Sequence, residues 1–358
     1  MKPWIGIPAV AALVYRAWAR KSLTPLGLLV AGLSASAHAL HPWLTPFLLL
    51  GVFYYGGTKA TKVKHDIKSR LTLSATGAEG GEGPRNHIQV LANAGIATVL
   101  SIAHAVVLSR SSSDSGSCFS AGHSAADILM VGIVANYVAV AADTFSSELG
   151  ILSKSKPRLI TSLTLREVPP GTNGGVTAAG LAAGLLGAFI LALTSAISLP
   201  FCAAHGSLQD RALWTLAFTL WGALGSVLDS VLGGLLQASV VDKRSGRVVE
   251  GSGGRKVLIH PGSTKPAGTS GSSGDSTQLR TTESVANTAT LRGSRATGTS
   301  VGNQSGSEHE EGHESRRLET GHDWLDNNGV NVLMASLMSL GAMGIAQWTW
   351  GVDVRELW

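Results

Sequence analysis

AADTFSSELGILSKSKPRLITSLTLREVPPGTNGG, Ala141 to Gly175, sets acids, hydroxyls, prolines and glycines in the seam between two long apolar runs. Asp143 and Glu148 close the run that begins near Ile128. An ionisable side chain beside a bilayer is costly, so its presence points to function. Thr172-Asn173-Gly174-Gly175 opens the following run, where the free N–H groups of a helix start would hold an anion. An acid at one helix end facing a glycine-rich helix start is the composition of a metal-and-phosphate site.

The rest of the 358-residue chain identifies the solvent for those runs. It is 44% apolar and only 14% charged, with a mean hydropathy of +0.23, too apolar for an ordinary soluble domain. A net charge of +5 raises the question of nucleic acid. The basic residues fall in loops between apolar segments without interleaved aromatics, so the expected partner is the lipid bilayer and not nucleic acid.

Working outward from the seam, the apolar runs predict helices at Trp4 to Ala19, Leu23 to Leu40, Trp43 to Gly57, His87 to Leu108, Ala125 to Leu149, Gly171 to Ile197, Leu213 to Gln237 and Asn328 to Trp350. The expected fold class is all-α, a polytopic transmembrane helix bundle of about 8 helices. Residues 1–239 carry the first seven helices, 240–323 form a polar and largely disordered cytosolic loop, and 324–358 hold the last helix with a short tail. In that loop Glu308 to Glu314 reads as a solvated charge run. Gly180, Gly184 and Gly187 make a small-residue packing face, as do Gly222, Gly225, Ser226 and Gly233, which share a helix side with Asp229.

Eight spans put only Lys2, Arg110, Arg211 and Arg355, of 28 Lys and Arg, on the side of the amino terminus. By the positive-inside rule both termini are non-cytosolic and the polar motif face is cytosolic. Cys118 and Cys202 then lie together on the opposite side, where an oxidising compartment permits a disulfide. The endoplasmic reticulum is the default location, since no transit or retention signal is evident.

The residues on the cytosolic face suit phosphoryl transfer, which asks mainly for positioning and charge neutralisation. Mg²⁺ takes one or two carboxylates plus substrate phosphates, and Asp143 with Asp229 or Glu148 would supply them. Asp143 and Glu148 are the candidate catalytic acids, and Asp143 and Asp229 the candidate metal ligands. Phosphates would sit at Gly171, Thr172, Asn173, Gly174 and Gly175, with Lys59, Lys62 or Arg158 as counter-charges. Asn93, Ser147, Asn328 and Asn331 are the expected supporting neighbours. No GxxxxGK[ST] pattern is present, which argues against a P-loop ATPase. The plain alternative is interhelical hydrogen bonding without chemistry, and a transporter is the second functional class.

GTKATKVK (57–64), PRNHIQVLANAG (84–95), ADTFSSELG (142–150), PRLITSLTLREVPPGTNGGV (157–176), GSVLDSVLGGLLQ (225–237) and LDNNGVN (325–331) follow one another in this order. In this the chain resembles the transmembrane protein 19 family, also called domain of unknown function 92, over nearly all its length except roughly residues 262–318. That family includes plant phytyl-phosphate kinase. The resemblance implies a membrane enzyme moving a phosphoryl group from a nucleotide, with CTP the expected donor, to a prenyl monophosphate. It also implies Asp143 as metal ligand, Gly171 to Gly175 as phosphate loop and Asp229 as supporting acid. A membrane transporter or a non-enzymatic membrane factor is the alternative.

Overall fold

Hydrocarbon offers no partner to a backbone amide, so the apolar runs satisfy their amides internally and fold as helices. A computed structural model of the chain describes residues 3–76, 78–80, 83–110, 118–122, 124–257 and 316–352. Its helices are α1 (Pro3–Ala19), α2 (Pro25–Leu40), α3 (Thr45–Lys62), the single turn α4 (His65–Lys68), α5 (His87–Arg110), α6 (Ala126–Gly150), α7 (Ala178–Ser198), α8 (Leu208–Leu236) and α9 (Asn327–Trp350). Each of the eight expected spans is matched by a helix. Five of them, α5 to α9, are long and apolar enough to cross a membrane, while α1 and α2 are apolar but shorter. Leu29, Leu33, Val99, Ile102, Leu216, Leu220 and Leu340 face outward, a belt of apolar surface that suits lipid and not water.

The helix at the centre is α6. In its most apolar window 94% of the residues are buried, because α3, α5, α7, α8 and α9 all pack on it. A helix apolar on every side belongs in an interior, and glycines on its neighbours make that position reachable. A Cβ on Gly187 would stand 2.7 Å from the carbonyl oxygen of Ala141, one on Gly184 3.0 Å from that of Ala142, and one on Gly222 2.7 Å from that of Val138. The glycine faces expected from the sequence are thus the faces that meet α6.

Short strands close one end of the bundle. Strands β1 (Leu73–Ser74), β4 (Ser239–Asp242), β5 (Val248–Glu250) and β6 (Arg316–Thr320) form a sheet in the order β1-β5-β4-β6, while β2 (Arg158–Leu159) pairs with β3 (Gly175–Val176). The expected loop 240–323 is therefore structured at both ends. Val240, Val241, Val248 and Val249 are buried, and the β4–β5 turn is held by Asp242, whose carboxylate accepts from the Ser245 hydroxyl at 2.7 Å. The Glu308 to Glu314 run lies outside the described residues. At the other end of the bundle Cys118 and Cys202 form the expected disulfide.

Two helix starts differ from expectation. α7 begins at Ala178 and not at Gly171, because Thr177 is its N-cap, accepting from the Gly180 amide at 3.0 Å. α8 begins at Leu208, fixed by a capping box in which Ser207 and Asp210 exchange bonds.

The packing carries a stability prediction. A methyl group on Gly222 meets backbone, so Gly222→Ala is expected to cost about 1–3 kcal/mol. Gly344→Ala, where a new Cβ has nothing within 4 Å, is expected to change stability by less than about 0.5 kcal/mol. Denaturant unfolding of both variants in detergent micelles measures the difference.

Candidate functional site

The seam between α6 and α7 opens onto a polar chamber of about 710 Å³ at the sheet end of the bundle. Its walls are the last turns of α6, the loop 171–177, the α8 segment around Asp229, the starts of α5 and α9, α4 and the edge of the β-sheet. Asp143, Ser147, Glu148, Gly171 to Gly175, Asp229, Asn93, Asn328 and Asn331 all line it. Residues from distant segments that were singled out as one face converge on one chamber.

At its floor the carboxyl groups of Asp143 and Asp229 are within hydrogen-bond reach of each other. Close approach of α6 and α8 at Gly225 against Ala139 brings the two helices to that distance. Two like charges in such contact repel, so the pair calls for a cation or a proton between them. The Asn331 amide, oriented with its nitrogen toward the acid, donates to Asp229 Oδ1 and to the Asn327 carbonyl, each at 3.2 Å. Asn328 is buried, donates to the Gly253 carbonyl at 2.9 Å and has its Oδ1 without a partner.

Glu148 lies on the same wall in another state. Lys68 Nζ donates to its Oε2 at 2.6 Å and the Thr61 hydroxyl to its Oε1 at 2.6 Å, while Arg85 Nη2 donates to Thr61 Oγ1 at 3.0 Å. Both oxygens of Glu148 are engaged, and it ties α6 to α3 and α4. The acid expected to act beside Asp143 is thus a strut of the chamber wall, and its cations Lys68 and Arg85 were not among the expected residues.

The expected counter-charges lie elsewhere. Lys59 sits over the Tyr55 ring at 4.6 Å. Lys62 lines a second cavity, between α1, α2, α3 and α5. Arg158 is exposed and 3.8 Å from Glu167. The chain turns at Lys64, whose φ is +48°, and α4 therefore folds back and delivers Lys68 to the chamber in place of Lys59 or Lys62. No spacing rule in the sequence signals that reversal. Arg85 belongs to the stretch PRNHIQVLANAG (84–95), which is the only signal for it in the sequence.

The loop 171–175 is also built differently from an open phosphate cradle. The Thr172 amide donates to the Pro169 carbonyl at 3.2 Å, the Gly175 amide to that of Thr172 at 2.9 Å, and the Asn173 amide to Ser239 Oγ at 2.9 Å. Three of the expected donors are thus spent on holding the loop. Its glycines serve fit: Gly174 has φ +77°, and a Cβ there would stand 2.8 Å from Gly234 Cα of α8. Asn136, which shares a helix stripe with Asp143, is fully buried and donates to the Asn93 carbonyl at 3.1 Å.

A helical multi-pass membrane protein with a polar chamber at one end of its bundle, floored by two acids, is the class that fold and site define. The chain belongs to the family described as integral membrane protein DUF92, whose model matches residues 8–339. It is 38% identical over 231 residues to Protein PGR of Arabidopsis thaliana, a match covering 63% of this chain and 76% of that one. Protein VTE6, chloroplastic, from the same plant is 34% identical over 175 residues, 46% of this chain and 47% of that one. An uncharacterized membrane protein of Methanocaldococcus jannaschii is 39% identical over 108 residues, 30% of this chain and 40% of its own length. The chain thus spans less than half of the latter two. No solved structure matches. None of these relatives supports the endoplasmic reticulum as location, and the name of one places that protein in the chloroplast.

The wall makes Glu148 testable. Removing one partner of a buried ion pair strands the other charge, so Lys68→Met is expected to destabilise by about 3–5 kcal/mol. The double variant Lys68→Met/Glu148→Gln is expected to regain most of that loss in the same detergent unfolding measurement.

Proposed function

We propose that the chamber transfers the terminal phosphoryl group of a nucleoside triphosphate, CTP by preference, to a prenyl monophosphate held in the membrane. The contact between Asp143 and Asp229 carries this reading: two acids meet at the floor of a chamber whose mixed-charge lining also offers Arg85 and Arg255. The family resemblance to a phytyl-phosphate kinase agrees with it.

The pair fits Mg²⁺ better than a zinc-like ion. Among the described residues no group of three or more His, Cys, Asp and Glu is placed to hold a metal, whereas Mg²⁺ keeps water and phosphate ligands and needs only one or two carboxylates. Asp143 and Asp229 would hold it, and it would neutralise the phosphate charge. Asn331 orients Asp229 by its hydrogen bond. Arg85, which no carboxylate among the described residues pairs, would supply positive charge at the chamber wall for the phosphoryl oxygens in the transition state, while Lys68 balances Glu148. In the reaction an oxygen of the acceptor phosphate attacks the γ-phosphorus, the bond to the nucleoside diphosphate breaks, and a prenyl diphosphate forms.

The chamber faces the cytosolic side in this proposal, with both termini opposite. The distribution of Lys and Arg supports that orientation, and so does the Cys118–Cys202 disulfide at the far end.

Purified protein given labelled CTP or ATP with farnesyl, geranylgeranyl or phytyl phosphate is expected to form the corresponding diphosphate. Asp143→Asn and Asp229→Asn are each expected to lower the rate by about a hundredfold or more. Absence of diphosphate with every pair of substrates, or full activity in Asp143→Asn, would overturn the proposal.

A further inference from the structure

The polar chamber does not stand alone. A second cavity of about 300 Å³ lies between α1, α2, α3 and α5, and Thr61, His65, Gly83, Arg85, Gln89 and Asn93 line both spaces. Its two ends differ in chemistry. Towards the membrane interior it is walled by Val14, Ala31, Ala35, Phe53 and Ala94. Two polar pairs along that length are spent on one another: Ser34 Oγ is 2.8 Å from Thr98 Oγ1, and Tyr54 Oη is 3.0 Å from Ser22 Oγ. At the other end stand Arg20, Lys21, Lys62 and Arg85, and no carboxylate among the described residues forms an ion pair with any of the four.

An apolar slot with an unbalanced basic mouth is complementary to an amphiphile with an anionic head. Its volume is at the small end for ligand sites and admits one chain. From this we infer that the slot between α1, α2, α3 and α5 is the binding site for a single-chain lipid phosphate. The tail lies along the small residues of α2, and the head group lies at Arg85 on the wall shared with the chamber. The assignment deepens the phosphoryl-transfer reading and rests on it for the identity of the acceptor. It also gives Lys62 a part, as one of the cations at the mouth. α1 and α2, the shorter helices at the edge of the bundle, become the wall that separates the tail from bulk lipid.

The test uses the full chain in proteoliposomes without nucleotide, and a geranylgeranyl monophosphate bearing a diazirine near the end of its tail. The expected result is labelling confined to peptides of α1, α2, α3 and α5. Geranylgeranyl phosphate should compete at least tenfold better than geranylgeraniol or phosphatidate. Ala31→Phe, which fills the slot, should lower labelling at least tenfold and raise the acceptor KM without changing the nucleotide KM. Should that variant fail to fold, the surface double variant Lys21→Gln/Lys62→Gln should raise the probe concentration for half-labelling at least fivefold.

Labelling spread over the lipid faces of α7 to α9, or equal competition by the neutral alcohol, would overturn the assignment. Equal competition by phosphatidate would overturn its single-chain form. The two readings fail separately. Slot labelling in a protein that makes no diphosphate removes the transfer reaction and leaves the slot. Diphosphate formation with the slot unlabelled removes the slot and leaves the reaction.

Discussion

The enclosure of α6 is the constraint from which the other features follow. Lipid tails are as apolar as the helix surfaces, so helices in a bilayer gain little from hiding apolar area and must gain from close packing. Surrounding one helix on all sides demands neighbours that bring their backbones near. Gly184 and Gly187 of α7 and Gly222 of α8 do so against the carbonyls of Ala142, Ala141 and Val138 of α6. The same approach sets the spacing of α6 and α8 one to two turns further on, where Asp143 and Asp229 meet. Packing glycines and chamber acids are thus parts of one geometric arrangement.

The chamber wall shows how environment divides similar groups. Asp143 and Glu148 leave the same end of α6, yet one faces a second acid and the other a lysine and a threonine. In the first arrangement the charge has to be balanced by a cation or a proton. The second is satisfied in the protein alone, with Thr61 and Lys68 binding the end of α6 to α3 and α4. The sheet adds to this by holding the loop 171–175 through Ser239 of β4.

What was legible in the sequence was periodic. Helices declared themselves by length and apolar content, and the glycine faces of α7 and α8 by helical spacing. Asp229 joins Asp143 in the sequence because both fall at the same membrane face once the helices alternate, whereas the chain reversal at Lys64 leaves no pattern, being set by one left-handed residue. Gly171 to Gly175 resembled a helix start because glycine and threonine also precede helices, but the cap belongs to Thr177. The sheet was hidden for another reason. Its strands are two to five residues long, and Leu73 pairs with Val249 from far along the chain. Only the valine pairs on either side of Asp242 to Arg247 offered a local hairpin signal.

The arrangement of that sheet also decides where the chain can grow. β5 and β6 flank β4, two strand spacings or about 10 Å apart, and they are the described strands on either side of residues 258–315. The entropic cost of joining two strands held by one sheet rises only slowly with the length of the connection. Both points of attachment are fixed by β4, so the spacing of the floor acids is set by the packing of the helices and not by the chain that joins these strands.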